Sequence, residues 1–365
     1  MIIDFFDCKI KQKVYKIFLF TCVISDQDQL MHSIFFIIDR MNKNKTKFDK
    51  TFKPSFFFRN PHVQSIMASS QLRVRRKNAM FTNSCEIIIT TSSGSRLQSF
   101  LSHHPASKGM IILLHGWEGS SSSAYILVTG DYFYNLGFSV CRLNLRDHGD
   151  SHHLNEGLFH GALLEETFEA VNYLSQQSEN LPVYVIGFSL GANFALRIAM
   201  THYRIPIANL KHVFAISPPL DPYKTTLAID NGYFFYRKYF LKKWKRSLVK
   251  KQQLFPERYD FNKILKAKTC MELTENIMHY FPELISYRDY FKLYTLQNNS
   301  FQKLNIPVRV FISEDDPVIP LEDYQSLQEN DFFQISMQKY GGHCGFLDLF
   351  PVNCWFHEII TEIIN

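Results

Sequence analysis

The sequence predicts an α/β fold built on a doubly wound, mostly parallel sheet, with an inserted helical cap. Three observations carry this. Four apolar runs, Met110–Leu114, Phe138–Leu143, Val183–Ile186 and Val213–Ile216, have the near-continuous hydrophobicity of strands buried on both faces. Helical stretches lie between them, at Ala124–Leu136, Gly161–Gln177 and Ser189–His202. Such alternation implies right-handed crossovers onto one sheet. The rhythm then breaks after Ser217-Pro218-Pro219: residues 221 to about 300 are aromatic, basic and helical in spacing, with no core strand. It resumes at Val308–Ile312 and Phe333–Met337, and a helix from Val352 closes the chain.

The expected organisation is therefore a leader and linker over residues 1–53, for which disorder is one expectation, then a core of residues 54–220. A cap over residues 221–300 and a second part of the core over residues 301–365 complete it. With 365 residues, 46% hydrophobic and 20% charged, the chain is long and apolar enough to bury a sizeable core, which excludes a disordered or fibrous class. The seven cysteines are scattered without a C-x-x-C, which argues against a zinc knuckle or a disulfide framework and for a reducing, cytoplasmic setting.

Near the start, Lys9, Lys11, Lys13 and Lys16 precede the apolar run Ile17–Ile24. This resembles a signal peptide, but Asp26 and Asp28 stand where a small-residue cleavage site is needed. The expectation is a leader, or a start at Met31 or Met41. No run reaches the roughly 20 apolar residues that cross a bilayer. Residues 41–53 are polar and basic, Arg73 to Lys77 form a second basic run, and Glu86–Thr90 with Leu97–Leu101 read as a hairpin around Ser-Ser-Gly-Ser.

The chemistry centres on Gly187-Phe188-Ser189-Leu190-Gly191, a G-x-S-x-G turn between a strand and a helix. That context lifts a serine above the carboxyl end of a strand and places it at the positive end of a helix. A serine hydroxyl needs a base, and the base needs an orienting acid. Downstream, Ile312-Ser-Glu-Asp-Asp-Pro317 ends a predicted strand and Tyr340-Gly-Gly-His343-Cys-Gly-Phe346 follows the next, on the same side of the sheet as Ser189. His343 is the candidate base, and Asp315 or Asp316 the acid. The loop His115-Gly-Trp117-Glu-Gly119 ends an earlier strand, making the N–H groups of Trp117 and Leu190 the candidate oxyanion donors. Each such donor is typically worth ~3 kcal/mol of transition-state stabilisation.

With these parts in order, the chain from about residue 54 to its end resembles the α/β-hydrolase superfamily. More narrowly it is similar to the YheT-like branch of esterases, related to the plant embryogenesis-associated hydrolases. The residues carrying this are His62-Val-Gln64, His115 to Tyr125, Gly187 to Asn193, Asp315-Asp-Pro317 and Gly341 to Phe346. The resemblance implies the α/β-hydrolase fold and hydrolysis of a carboxylic ester without metal or organic cofactor. It also favours Asp316, three residues beyond the strand-end Ser313, as the acid. One departure stands out: Asp147, in Leu143-Asn-Leu-Arg-Asp147-His-Gly-Asp150, occupies the branch's glycine position, so the active-site wall is expected to differ. His160-Gly161 matches a short family segment expected to support that wall.

Two other readings compete. Residues 147–153 gather Asp147, His148, Asp150, His152 and His153, but match no metal-ligand spacing, and a pocket or surface loop is expected. Residues 237–251 hold eight basic residues with Tyr239, Phe240 and Trp244 interleaved. They read first as a cap helix with its aromatics inward and lysines outward, and second as a contact for an anionic membrane surface. Nucleic acid is not an expected partner. The sequence reading is thus a serine hydrolase acting on a small-molecule ester with an apolar acyl or alcohol group. A thioesterase or acyltransferase with the same three residues, or a non-catalytic lipid-surface binding protein on the same fold, are the alternatives. The oligomeric state is not legible.

Overall fold

Eight strands form one sheet, and their order places the candidate residues on a common edge. The computed structural model describes residues 50–75, 78–284, 286–348 and 354–365. The leader reading of residues 1–49, Arg76 and Lys77 of the second basic run, and the proposed helix start at Val352 lie outside the described residues. Residues 51–365 form a compact unit.

The hairpin is present as β1 (Ser84–Thr90) and β2 (Arg96–Ser102), paired antiparallel with Thr90 opposite Arg96. The remaining strands are β3 (Met110–Leu114), β4 (Ser139–Leu143), β5 (Val183–Phe188), β6 (Leu210–Ile216), β7 (Val308–Ser313) and β8 (Phe333–Gln338). The spatial order is β1-β2-β4-β3-β5-β6-β7-β8. β2 meets β4 antiparallel, and every later pairing is parallel. This is the doubly wound, mostly parallel sheet the sequence predicts.

Helices α1 (Pro61–Ala68) and α2 (Ala79–Thr82) precede the sheet; α3 (Ala124–Asn135), α4 (Leu164–Gln176) and α5 (Leu190–His202) follow β3, β4 and β5. Strand residues alternate between two cores because successive side chains leave a strand on opposite faces. Met110, Ile112 and Leu114 pack with Phe168, Leu174 and Ala195 on one face. Ile111 and Leu113 pack with Phe133, Phe356 and Ile359 on the other, under the closing helix, α11 (Trp355–Ile364). Between β6 and β7 the chain runs through α6 (Pro222–Asn231), α7 (Phe234–Leu254), α8 (Cys270–Ile277) and α9 (Tyr287–Lys292), and α10 (Glu322–Gln325) follows β7.

α4 begins at Leu164, three residues later than the periodicity suggests. The Gly161 amide donates to the Tyr290 hydroxyl and its carbonyl accepts from Arg197, so the backbone at 161 is engaged elsewhere. A Cβ at 161 would also strike the Tyr294 ring at 2.7 Å.

The two ends of the α6–α9 excursion meet. The Leu296 amide donates to the Leu220 carbonyl at 2.7 Å. Asn193, four residues beyond Ser189 on α5, donates from Nδ2 to Pro219 O at 2.8 Å and to Tyr294 O at 2.9 Å.

Candidate active site

Ser189 sits on a tight elbow between β5 and α5 with φ 51° and ψ −120°. A side chain on L-residues rarely tolerates that region, and such strain clusters at functional sites. The flanking glycines follow from close approach. A Cβ at Gly187 would collide with the Gly191 carbonyl, and one at Gly191 with the carbonyls of Leu114 and His115.

His343 Nε2 lies 3.0 Å from Ser189 Oγ, and its Nδ1 lies 2.9 Å from Asp316 Oδ2. Asp316 is in turn fixed by the amides of Val318 and Ile319, which donate to its Oδ1 at 2.8 and 3.1 Å. The neighbouring acid has a different place: Asp315 Oδ1 accepts the Gly342 N–H at 2.8 Å and so holds the backbone of the histidine loop rather than its ring.

The N-terminal segment shapes the same loop. Gln64 is fully buried; its Nε2 donates to Phe58 O and Leu347 O, and its Oε1 accepts the Leu347 N–H at 2.8 Å. Ser65 Oγ accepts the His343 amide at 2.9 Å. The His62-Val-Gln64 stretch therefore staples the glycine-rich loop from a sequence distance of 283 residues.

The 115–119 loop packs directly against the elbow: a Cβ on Gly116 would lie 3.0 Å from Ser189 Cβ. The amides around Trp117 are held in place. Gly116 N–H donates to the Tyr125 hydroxyl at 3.0 Å and Glu118 N–H to His148 Nε2 at 3.1 Å. Burial pushes His148 down to about 4, so it is a neutral imidazole whose Nδ1–H donates to Arg146 O. His115 is likewise held well below its ordinary value by burial; Nδ1–H donates to Gly116 O and Nε2 accepts the Leu145 amide. Trp117 and Leu190 amides donate to no acceptor among the described residues.

Helix α7 grips this loop from above. The Trp117 ring stacks on Phe240 at 5.3 Å and meets Trp244 edge-on at 5.0 Å, while Lys243 Nζ donates to Glu118 O at 3.0 Å. Sequence reasoning missed Lys243 and His148 as supports of the loop. Nothing in their local pattern distinguishes them from solvated neighbours.

Two cavities meet at Ser189. One, of about 90 Å³, is walled by apolar side chains including Ile229, Phe240, Ile277 and Phe281, with His160 and Gly161 in its lining. The other, of about 580 Å³, passes His343 and runs out between Ile66, Gln71, Tyr239 and Lys243.

Asp147 itself lines neither cavity; it touches the wall only through Phe159, a lining residue whose amide it accepts. It adopts φ 56°, a left-handed conformation that glycine enters freely, and turns its carboxylate to Lys251 Nζ at 2.7 Å. Oδ2 accepts the Phe159 amide, and Lys251 also donates to the carbonyls of Asn155 and Gly157. Burial pushes Asp147 up to about 6 and Lys251 down, each opposed by the other's charge. Lys251→Met, which strands the carboxylate, is expected to cost about 3–5 kcal/mol, read as a lower urea midpoint at unchanged slope. Adding Asp147→Gly removes the stranded charge at a backbone geometry glycine adopts freely, and is expected to recover most of that loss. The rest of this loop is also engaged: His152 Nε2 pairs with Ser247 Oγ and Asp150 with Lys250. Among the described residues no group of three or more His, Cys, Asp or Glu is arranged around a metal ion.

Comparison with known proteins agrees with this architecture. Mouse (Mus musculus) Phospholipase ABHD3 is 24% identical over 265 residues, 69% of this chain and 62% of that protein. Monoacylglycerol lipase of Saccharomyces cerevisiae is 23% identical, covering 71% of this chain and 59% of that protein, so the chain spans about six-tenths of the length of both relatives. Mouse Monoacylglycerol lipase ABHD2 is 22% identical over 86% of this chain and 79% of its own. Among solved structures, the Pyrococcus furiosus esterase Pf2001 superposes with a TM-score of 0.52 at 17% identity, over 77% of this chain and 91% of that one, a likeness of fold. The family profile described as alpha/beta hydrolase fold matches residues 109–348, about two thirds of the sequence. On that match, and with the sheet, elbow and loops in the order described, the chain belongs to the alpha/beta hydrolase fold family.

Proposed function

We propose that this protein is a serine hydrolase that cleaves carboxylic esters with an apolar acyl or alcohol group. The observation that carries the reading is the line of contacts Asp316 Oδ2–His343 Nδ1–His343 Nε2–Ser189 Oγ, 2.9 and 3.0 Å long, ending at a strained elbow. In this reading Ser189 Oγ attacks the acyl carbonyl carbon as His343 Nε2 takes its proton. The N–H groups of Trp117 and Leu190 stabilise the oxyanion. Collapse breaks the ester bond, and His343 passes its proton to the departing alcohol. Water, deprotonated by His343, then attacks the acyl-enzyme; the acid leaves and the serine recovers its proton. Asp316 holds the tautomer that makes Nε2 the acceptor.

The relatives' names, phospholipase and monoacylglycerol lipase, support lipid esters as the substrate class. The apolar cavity under α6–α9 supports a hydrocarbon acyl group and a capping role for residues 221–300. The Gln64 staple on the histidine loop supports the YheT-like branch. Unpaired thiols at Cys85, Cys141, Cys270, Cys344 and Cys354 support a cytoplasmic location. The test is labelling with a fluorophosphonate probe followed by peptide mass spectrometry. The expected adduct is on Ser189 alone, with turnover of p-nitrophenyl esters lost in step with labelling. A folded protein that takes no label, or takes it elsewhere, overturns the reading.

A further inference from the structure

The wide cavity beside His343 opens through a mixed rim, where Ser69, Ser70, Gln71 and Lys243 stand beside Ile66 and Tyr239. Its outer lining includes Ile66, Gln71 and Tyr239, and the residues next to them are large, apolar and solvent-facing. Leu72 is 93% exposed, Phe234 67%, Ile66 59% and Tyr233 59%. Val63 and Tyr239 are exposed in the same region. Apart from Leu72, just beyond α1, these side chains come from α1 and the start of α7, which touch: the His62 ring of α1 lies 4.3 Å from Tyr233, which leads into α7. Single exposed hydrophobics need no explanation, but a cluster around one opening marks a surface that meets something apolar.

Charge says what that something is. α7 carries eight basic residues and no acidic one. Lys238, Lys242 and Arg246 are exposed and spaced four apart, continuing the row that Phe234 begins. They form no ion pair with any carboxylate among the described residues, whereas Lys250 and Lys251 on the same helix do. An apolar cluster flanked by unpaired cations complements a bilayer with anionic head groups.

We propose that the α1 and α7 rim, with Leu72, is a docking surface for an anionic lipid bilayer, seating the mouth of the wide cavity on the membrane. A lipid then reaches Ser189 through that mouth without crossing water. The docking stands on the surface itself; only the fate of the lipid rests on the ester-hydrolase reading. Apolar side chains insert and set the affinity, while Lys238, Lys242 and Arg246 add attraction that depends on anionic lipid and weakens with salt.

The experiment sediments full-length protein with phosphatidylcholine vesicles, with and without phosphatidylserine, at low and high salt. Hydrolysis of soluble p-nitrophenyl butyrate is followed in parallel. Leu72→Ser with Phe234→Ser is expected to weaken partitioning onto both vesicles by about tenfold for each side chain removed from the bilayer. Lys238→Gln, Lys242→Gln and Arg246→Gln together are expected to abolish only the increment due to phosphatidylserine, and its salt sensitivity. Both variants should hydrolyse p-nitrophenyl butyrate like the parent, since none of these residues belongs to the site. Wild-type protein that stays off both vesicles overturns the proposal, as does a Leu72/Phe234 variant that sediments like its parent or a charge variant that keeps the full phosphatidylserine increment. So does a dimer, seen by light scattering, that dissociates in the Leu72/Phe234 variant without vesicle binding in the parent. Vesicle binding with the expected pattern but no ester turnover in any variant supports the docking surface and removes the hydrolase reading instead.

Discussion

Replacing Ser189 with alanine is expected to lower kcat for a p-nitrophenyl ester by about a millionfold, the scale seen when a hydrolase loses its nucleophile. The loss is not of binding. Both cavities keep their shape because alanine retains the Cβ against which Gly116 packs. Nor is it of stability, since Oγ contributes no hydrogen bond to the fold beyond that with His343. Alanine at φ 51° carries the same backbone strain as serine, so the melting temperature is expected to move little. The measurement pairs steady-state kinetics with a thermal melt on both proteins. Turnover within about tenfold of the parent would take Ser189 out of the reaction.

Asp316→Asn is expected to lower kcat by about ten-thousandfold, and to do so through the proton on His343. The Asp316 carboxylate accepts the Nδ1–H, which leaves Nε2 free to receive the serine proton. An asparagine presenting its NH₂ stabilises the other tautomer, with the proton on Nε2 facing Ser189, and the base is lost. The pH profile separates this from general damage. Burial alone presses the His343 pKa down, but the Asp316 carboxylate and its hydrogen bond, with a further push from the adjacent Cys344, outweigh it and hold the ring well above its ordinary 6.5. Catalysis needs the neutral ring, so kcat/KM should fall as pH drops through that raised value, with its acid limb above pH 6.5. Without the carboxylate the largest upward pull is gone, and the residual activity of Asp316→Asn should have its acid limb at lower pH. Asp315→Asn is the control: an amide oxygen still accepts the Gly342 N–H, so the limb should stay in place.

What could be read from the sequence was what local pattern encodes. β3 matches the apolar run residue for residue, because a strand buried on both faces leaves no ambiguity. The elbow is legible because its glycines answer to collisions within a few residues, at Gly191 and Ala192, and to the end of β3. The supports of the site were not legible, because they join distant positions. Lys251 looks like any other lysine of a basic helix until it meets Asp147, 104 residues away. Asp147 reads from the sequence as a change in the cavity wall; in the fold it also anchors a helix, through Lys251, while holding the wall residue Phe159 by its amide. The 237–251 stretch divides only in part as its first reading expects: Phe240 and Trp244 turn onto Trp117 and Lys238, Lys242 and Arg246 turn outward, but Tyr239 is exposed and Lys251 is buried. Its spacing could not tell that Lys243 would reach the Glu118 carbonyl.

The closed neck at Leu220 and Leu296, with Asn193 bonded to both sides of it, bears on how this chain tolerates change in length. An excursion that leaves and returns at one point imposes no change of register on the strands that flank it. The entropy of closing such a loop grows only with the logarithm of its length, so each doubling adds about 0.6 kcal/mol. Helices can therefore be lengthened, shortened or exchanged beyond the neck while β6 and β7 keep their register. What limits such change is the set of contacts the helices send back across the neck, Lys243 to the Glu118 carbonyl and Lys251 to Asp147 among them, so a replacement segment has to keep these anchors while the remaining positions are free to vary.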